Sequence, residues 1–347
     1  MARIAINGFG RIGRAAFKIA LETPQLEVVA INDLVPADNL AYLLKYDSVY
    51  GRYEKEVHAE GDAVVVDGKA YPLLHEKDPE KLPWRDKEVD IVLECSGHFT
   101  DKDGMGKHLK AGALYVLLSA PAKGEEIVTV IPGVNAIPDD AVRMVSCASC
   151  TTNSIAPVME VLGRRIGINK AVMTTFHAYT SSQALVDSPN KKFRRGRAAA
   201  LSFVPSTTGA AVATARALPQ FKGKFDGTAI RAPIPVGSIS DIVAVSSRAT
   251  SADEINAVFR EEAASERYRD IMGISEDEIV SSDIVKDPRA AIIDLTMTKV
   301  VDGDLIKVMS WYDNEWGYTH QLVREASKIA RDPAALEEKR KAMLVSR

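Results

Sequence analysis

Two of the chain's three cysteines, Cys147 and Cys150, stand in C-x-x-C spacing within V-S-C-A-S-C-T-T-N-S, residues 145–154. Three chemistries use such a pair: a redox couple, half of a zinc site, or a nucleophile with a neighbour. A structural zinc site wants four Cys or His ligands, usually as two spaced pairs. Cys95 stands alone and no H-x-x-x-H pair follows Cys150, so no metal is expected. A disulfide framework is equally disfavoured by so few cysteines, which suit a reducing compartment, the cytoplasm by default.

The position of Cys150 favours the nucleophile. Residues 144–146 read as a short strand, and the run I-A-P-V-M-E-V-L-G-R-R-I predicts a helix from about Thr151. A cysteine at a helix N-terminus has its thiolate stabilised and its pKa lowered. The dipole contributes up to ~2 kcal/mol in a partly buried site, which is more than one pKa unit. An imidazolium nearby would add to this. Of six histidines, His177 stands out because it ends the apolar strand 170–177, within T-T-F-H-A-Y-T. On the residues alone, His177 reads as well as an ordinary hydrogen-bonded histidine at a strand end.

A second pattern asks for a cofactor. Residues 3–6 alternate into a short strand, G-F-G-R-I-G (Gly8, Gly10, Gly13) follows, and A-A-F-K-I-A-L-E continues at helical spacing. Residues 27–31, E-V-V-A-I, form a second strand that runs into Asn32 and Asp33. This is a βαβ unit with an acid twenty residues beyond the last glycine, the fingerprint of dinucleotide binding. Gly8 permits the tight turn, Gly10 lets a pyrophosphate approach the backbone, and Gly13 lets helix and strand pack closely. Arg11 and Ile12 lie inside the turn, against the phosphates. Asp33 accepts hydrogen bonds from ribose hydroxyls and repels a 2′-phosphate, which favours NAD over NADP. Ser96, Gly97 and Ser119 end later strands, where parallel α/β sheets bind ligands.

The elements that must hold these residues divide into two domains, as 347 residues suggest. Strands at 89–95 and 113–119 extend the first βαβ unit. Asp67-Gly68 sits between alternating residues of segment 57–74 and predicts an antiparallel hairpin inserted in that sheet. The first domain is therefore a mostly parallel α/β Rossmann fold that ends near Cys150. Beyond it, β-branched runs at 170–177, 228–231, 240–248 and 290–301 predict an α+β domain with a mixed, largely antiparallel sheet. Asp302-Gly303 turns the last run into a hairpin. Segment 317–331 is amphipathic and reads as a helix, and 334–347 as a further helix or a frayed tail. Residues 188–196, S-P-N-K-K-F-R-R-G, lie in a long polar loop, a kind that usually binds something.

Composition excludes several classes. Net charge is −3, which gives no global basic field for nucleic acid. No apolar run approaches the ~20 residues that span a membrane. The N-terminus enters the first strand directly, with no signal-peptide core.

Taken together, G-F-G-R-I-G-R, L-L-K-Y-D-S-V-Y-G-R, C-A-S-C-T-T-N, T-T-F-H-A-Y-T, R-R-G-R-A-A-A, P-S-T-T-G-A-A and S-W-Y-D-N-E-W-G-Y resemble the phosphorylating glyceraldehyde-3-phosphate dehydrogenases. The resemblance runs over nearly the whole chain. It implies an NAD domain of residues 1–149 with 316–347, a catalytic domain of residues 150–315, and a homotetramer. It implies Cys150 as nucleophile and His177 as base. It places Thr180 and Arg231 on the phosphate of glyceraldehyde 3-phosphate, and Ser149, Thr151, Thr208 and Gly209 on the attacking inorganic phosphate. Asn314 would orient the nicotinamide amide, with Tyr318 beside that ring. The loop around residues 188–197 would reach a neighbouring subunit's cofactor. The family usually has Asn where this chain has Cys147, a second Cys at Ser154 and often Asp at Ser182, so Cys147 reads as a bystander, the alternative being that it resolves a sulfenic acid on Cys150. Rival readings are an erythrose-4-phosphate dehydrogenase that releases a free acid, a non-catalytic NAD-binding interaction protein, and a thiol hydrolase.

Overall fold

The computed structural model describes residues 1–139 and 141–345. The chain forms two compact units. The first comprises residues 1–130, 136–148 and 322–347, and the second residues 131–135 and 149–321.

The first unit is built on a nine-stranded sheet. Its order is Val128–Thr129, Met144–Ser146, Tyr115–Leu118, Ile91–Glu94, Ala2–Asn7, Leu26–Asn32, Lys69–Leu74, Ala63–Val66, Val57–Ala59. Pairing is parallel as far as Lys69–Leu74. The last two pairs are antiparallel, and the hairpin turns on Asp67 and Gly68, both at positive φ, as the D-G signal predicts. Ala2–Asn7 lies between Leu26–Asn32 and Ile91–Glu94, so the chain order reverses there. Open α/β sheets bind ligands at such a switch point, beyond the carboxyl ends of the strands.

The helix Arg11–Leu21 buries Ala15, Ala16, Phe17, Ile19 and Ala20 along one stripe. Its glycines are required by contact. A Cβ on Gly13 would lie 2.0 Å from the Gly8 carbonyl oxygen. Gly8 itself has φ +92°, and a Cβ there would lie 2.5 Å from the Ser96 nitrogen. The strand expected over 89–95 is shorter, Ile91–Glu94. Asp90 precedes it, wholly buried, and its carboxylate accepts from the Arg3 amide and from two nitrogens of Arg340. That fork fixes the helix Pro333–Val345, so the tail is helical and docked on the first unit.

The second unit has a seven-stranded mixed sheet. Its order is Val204–Thr207, Phe225–Ala232, Ile168–Ala178, Ser238–Ser246, Leu305–Tyr312, Ala291–Val301, Met272–Ser275. Helices Cys150–Arg165, Ala210–Ala217 and Ala252–Ala264 contribute to a core in which Ile155, Met159, Leu162, Met173, Phe259 and Val308 pack together. Strand alternation decides what points there. Met173, Thr175 and His177 are buried on the helix side, while Val172 and Phe176 are exposed on the other. The helix Trp316–Ile329 carries the chain from the second unit into the first.

Candidate active site and dinucleotide pocket

Cys150 is the first residue of the helix Cys150–Arg165, one residue earlier than the sequence predicts. Ser149 caps that helix, its hydroxyl accepting from the Thr152 amide at 3.1 Å. Ala148, just before it, has φ +56° although it carries a side chain, so the chain turns sharply from strand to helix. The half-buried thiol that results faces a buried imidazole. Cys150 Sγ lies 3.2 Å from His177 Nε2.

Sheet register explains the third member. Ile168–Ala178 and Phe225–Ala232 pair in parallel with His177 directly opposite Arg231, so both side chains emerge on the same face. Arg231 Nη1 lies 2.7 Å from His177 Nδ1 and donates to the Ala178 carbonyl oxygen at 3.0 Å. His177 Nδ1 is also 2.7 Å from that same oxygen. One nitrogen cannot donate to the carbonyl and accept from the guanidinium together. The imidazole is therefore poised between two tautomers, and Arg231 has a stake in which one prevails.

The expectation of a thiolate is corrected by this environment. Burial, then the cationic Arg231, pushes His177 down to about 3, so the ring is neutral at ordinary pH. Burial pushes the Cys150 thiol up, outweighing the pull of Arg231 and of the Thr151 hydrogen bonds. The dipole at the helix N-terminus is present, but desolvation wins over it. Arg231 has no carboxylate partner among the described residues, burial pulls its own pKa down, and its buried Nε–H finds no acceptor. A half-buried guanidinium with one buried donor left without an acceptor is a site waiting for an anion. Cys147 is buried and pushed far up by desolvation, and Cys95 rises to about 12, and neither has the imidazole and cation that face Cys150.

The other expected anion residues fall into two sets. Thr180 Oγ1 meets Ser182 Oγ at 2.9 Å, and Arg195 bonds both Ser182 and Ser206. Thr208 Oγ1 accepts from the Ala210 amide at the start of the helix Ala210–Ala217, with Gly209 as its cap residue. Strand pairing sets Thr207 opposite Thr228 and Val204 opposite Arg231. Thr208-Gly209 and Arg231 thus lie toward opposite ends of one strand pair, Thr208 about 13 Å along the chain from the level of Arg231. Thr151 is buried, and its hydroxyl meets Tyr312 Oη at 2.9 Å. Asn314 accepts through Oδ1 from Ser238 Oγ and the Gly237 amide, and Tyr318 is buried. The sequence reading missed Tyr312, which also holds Thr175 and lies edge-on to the His177 ring at 6.0 Å between centroids. It missed Arg195 as a second cation near His177 as well.

In the first unit, a cavity of about 380 Å³ opens at the switch point. Gly8, Gly10, Asp33 and Ser96 line it. Arg11, Ile12, Gly13, Gly97 and Ser119 do not, and Arg11 instead pairs with Asp47 at 2.9 Å. The Asp33 carboxylate accepts from the Phe9 amide inside the glycine turn at 2.6 Å and from the Val35 amide at 3.0 Å. Nothing lies within 4 Å of where a Gly10 Cβ would stand, so the turn is open to a ligand there. Asn7, Asn32, Glu76 and Lys77 also line the cavity and were not expected from the fingerprint. Asn7 and Asn32 immediately precede Gly8 and Asp33, and that adjacency was the available signal.

A switch-point dinucleotide pocket on one unit and a cysteine–histidine couple beside an unpaired arginine on the other define a thiol-dependent oxidoreductase of the nicotinamide class. Family comparison makes this particular. Residues 2–102 match the family model of the glyceraldehyde 3-phosphate dehydrogenase NAD binding domain, and residues 149–314 match that of its C-terminal domain. The chain belongs to the glyceraldehyde-3-phosphate dehydrogenase family. It is 48% identical over 337 residues to the glyceraldehyde-3-phosphate dehydrogenase of Clostridium pasteurianum, which covers 95% of this chain and 99% of that one. It is 48% identical to that of Geobacillus stearothermophilus over 330 residues, covering 94% and 98%. Against glyceraldehyde-3-phosphate dehydrogenase 1 of Bacillus subtilis the identity is 46% over 331 residues, covering 95% and 98%.

Proposed function

We propose that the protein oxidises glyceraldehyde 3-phosphate to 1,3-bisphosphoglycerate with NAD and inorganic phosphate, as a step of glycolysis and gluconeogenesis. The observation that carries this reading is the Cys150–His177–Arg231 constellation: a thiol 3.2 Å from an imidazole whose far nitrogen lies 2.7 Å from a half-buried, carboxylate-free arginine.

Chemistry on these residues runs as follows. The substrate's phosphate takes the free donors of Arg231, with Thr180 as a neutral partner. That anion offsets the Arg231 charge, which adds to burial in holding His177 down. Nδ1–H then donates to the Ala178 carbonyl, and the Nε2 lone pair faces Sγ. Cys150 passes its proton to Nε2, the sulfur adds to the aldehyde carbon, and Nε2 returns that proton to the resulting alkoxide to give a hemithioacetal with His177 neutral again. His177 serves as base for the hemithioacetal hydroxyl, and loss of hydride leaves a thioester on Cys150. NAD, when bound, supplies the hydride acceptor. Inorganic phosphate, near Ser149, Thr151, Thr208 and Gly209, displaces the thioester as an acyl phosphate and frees the thiol. Neutral donors suit a group that must bind and then leave.

The first unit's residues fit NAD. Gly8, Gly10, Gly13, Arg11 and Ile12 would form the phosphate turn, and Asp33 would receive the ribose hydroxyls. Ser96, Gly97 and Ser119 would line the far side, with Asn314 and Tyr318 at the nicotinamide. A free reactive thiol suits the cytoplasm. The second unit's sheet leaves one face uncovered, with Val172, Phe176, Met297, Val301 and Leu305 exposed, and the long loop exposes Leu185, Val186, Phe193, Leu201 and Phe203. So much exposed apolar surface supports burial against further copies of the chain, a homotetramer.

The test is NAD reduction by the purified protein with glyceraldehyde 3-phosphate, with and without inorganic phosphate. Turnover that requires phosphate supports the reading. Turnover indifferent to phosphate, or faster with erythrose 4-phosphate, overturns it in favour of thioester hydrolysis.

A further inference from the structure

Glu94 is completely buried, and no step above uses it. Four donors converge on its carboxylate. Asn7 Nδ2 reaches Oε2 at 2.5 Å, and His108 Nε2 lies 3.0 Å from the same oxygen. The Ser96 amide reaches Oε1 at 2.8 Å, and the Ser96 hydroxyl donates to that oxygen too.

The direction of each bond follows from chemistry. Trp84 Nε1 lies 3.0 Å from His108 Nδ1, and an indole N–H can only donate. His108 Nδ1 is therefore the acceptor, and Nε2 carries the proton toward Glu94. Asn7, with Nδ2 committed to Glu94, accepts through Oδ1 from Asn32 Nδ2 at 2.7 Å. Asn32 then donates to the Glu76 carbonyl at 2.9 Å and accepts from the Glu76 amide at 3.0 Å. Among the described residues Glu94 meets donors only, so the carboxylate acts purely as an acceptor.

The chain of bonds also has a destination. Trp84 and His108 lie at its closed end, inside the first unit. At the other end Ser96, Asn7, Asn32 and Glu76 all line the dinucleotide cavity. The turn at Gly8 backs directly onto the Ser96 nitrogen that Glu94 holds. Stability alone gives little reason for a fully buried carboxylate, because apolar residues of similar volume serve a core as well or better.

We infer that Glu94 is the positioning residue of the dinucleotide pocket: its carboxylate, kept acceptor-only by the Trp84–His108 relay, fixes Ser96, Asn7 and, through Asn32, the Glu76 backbone for the cofactor. The inference deepens the reading of this cavity as the NAD site and rests on it. Glu94→Gln is nearly isosteric but brings an NH₂ group against donors whichever way the amide turns.

The experiment is NAD titration of the full-length protein by fluorescence, with the melting temperature followed in parallel. The expected result for Glu94→Gln is an NAD dissociation constant raised by about tenfold or more, since a buried donor loses its acceptor. The steady-state KM for NAD should rise by more than kcat falls. His108→Gln can still accept from Trp84 and donate to Glu94, whereas His108→Leu can do neither. Affinity retained in His108→Gln and lost in His108→Leu supports the relay, as does a nitrogen NMR signature of an Nε2–H tautomer for His108. An NAD affinity within about twofold of wild type in Glu94→Gln, with only the melting temperature lowered, overturns the inference. Equal affinities in the two His108 variants overturn it too. A wild-type protein that fails to bind NAD would instead refute the cofactor reading itself.

Discussion

The two functional regions treat buried polar groups in opposite ways. Around the dinucleotide cavity, every side chain from Trp84 to Asn32 has a partner and a fixed direction. Around Cys150, Arg231 keeps a donor without an acceptor, and His177 Nδ1 has two claimants for one lone pair or proton. A satisfied network holds one geometry and suits a group that is bound repeatedly in one pose. An unsatisfied one stores free energy that a ligand can release. The first region is finished without its ligand, while the second keeps a donor that the proposed phosphate would satisfy.

The largest break in that comparison is loss of the nucleophile. Cys150→Ser should lower NAD reduction by about a thousandfold or more, because the hydroxyl is a far poorer nucleophile at neutral pH. Its NAD affinity should be close to wild type, since Cys150 is not among the residues that line the dinucleotide cavity or that are assigned to the nicotinamide. Steady-state turnover and NAD titration on the same preparation check both halves.

His177→Asn comes next, with kcat down by about 10²–10⁴, the usual contribution of a positioned base. It also carries a signature in stability. The folded protein protonates His177 only near 3, against 6.5 for an unperturbed imidazole. Between those values the unfolded chain binds the extra proton, so acid favours unfolding. The stabilisation is fully present above 6.5 and is lost as pH falls toward 3. Urea unfolding as a function of pH should show this acid-dependent loss in wild type, and less of it in His177→Asn. An identical slope in both would mean that the ring is not held neutral.

Arg231→Leu tests whether the unpaired cation controls the base. Its kcat/KM for glyceraldehyde 3-phosphate should fall by about 10²-fold, the loss of a charge-assisted phosphate contact. In the same variant, the His177 titration should move up from about 3, because the neighbouring charge is gone. NMR titration reads this directly. In the wild type, phosphite dianion should produce the same upward movement by neutralising Arg231. A His177 midpoint indifferent to both changes would separate the arginine from the base.

Much of this contrast was legible in the sequence, and its limits are instructive. Gly8, Gly13 and Asp33 announced the first pocket because a tight turn and close packing can be met by few residue types, so local sequence records them. The Asp67-Gly68 and Asp302-Gly303 hairpins were legible for the same reason. Cys150 could be placed because a helix start is a local event. The electrostatics were not legible. The pairing of His177 with Arg231 depends on register between strands 54 residues apart, and that register adds a cation to the burial that holds the ring neutral. Tyr312, set 161 residues from its partner Thr151, left no local pattern either. The Glu94 network escaped because its members are scattered over the chain as ordinary polar residues, and only sheet order brings them together.

Ser149 offers the smallest and finest break, since it belongs to both kinds of region. Its hydroxyl caps the helix Cys150–Arg165 and pairs with Thr152 Oγ1 at 2.8 Å, so it is already satisfied. It is also a residue assigned to the attacking phosphate. Ser149→Ala should cost about 1 kcal/mol of stability, as loss of an N-cap does. If capping is its whole task, the KM for phosphate stays put. If the hydroxyl also serves phosphate, KM rises by about threefold to tenfold, the worth of one neutral hydrogen bond. Ser149→Asn separates the two. Asparagine caps as well as serine, so stability should be kept, but its larger amide would crowd the anion and raise the phosphate KM. Restored stability with restored KM would make Ser149 a structural cap alone. Phosphate would then be left to Thr151, Thr208 and Gly209.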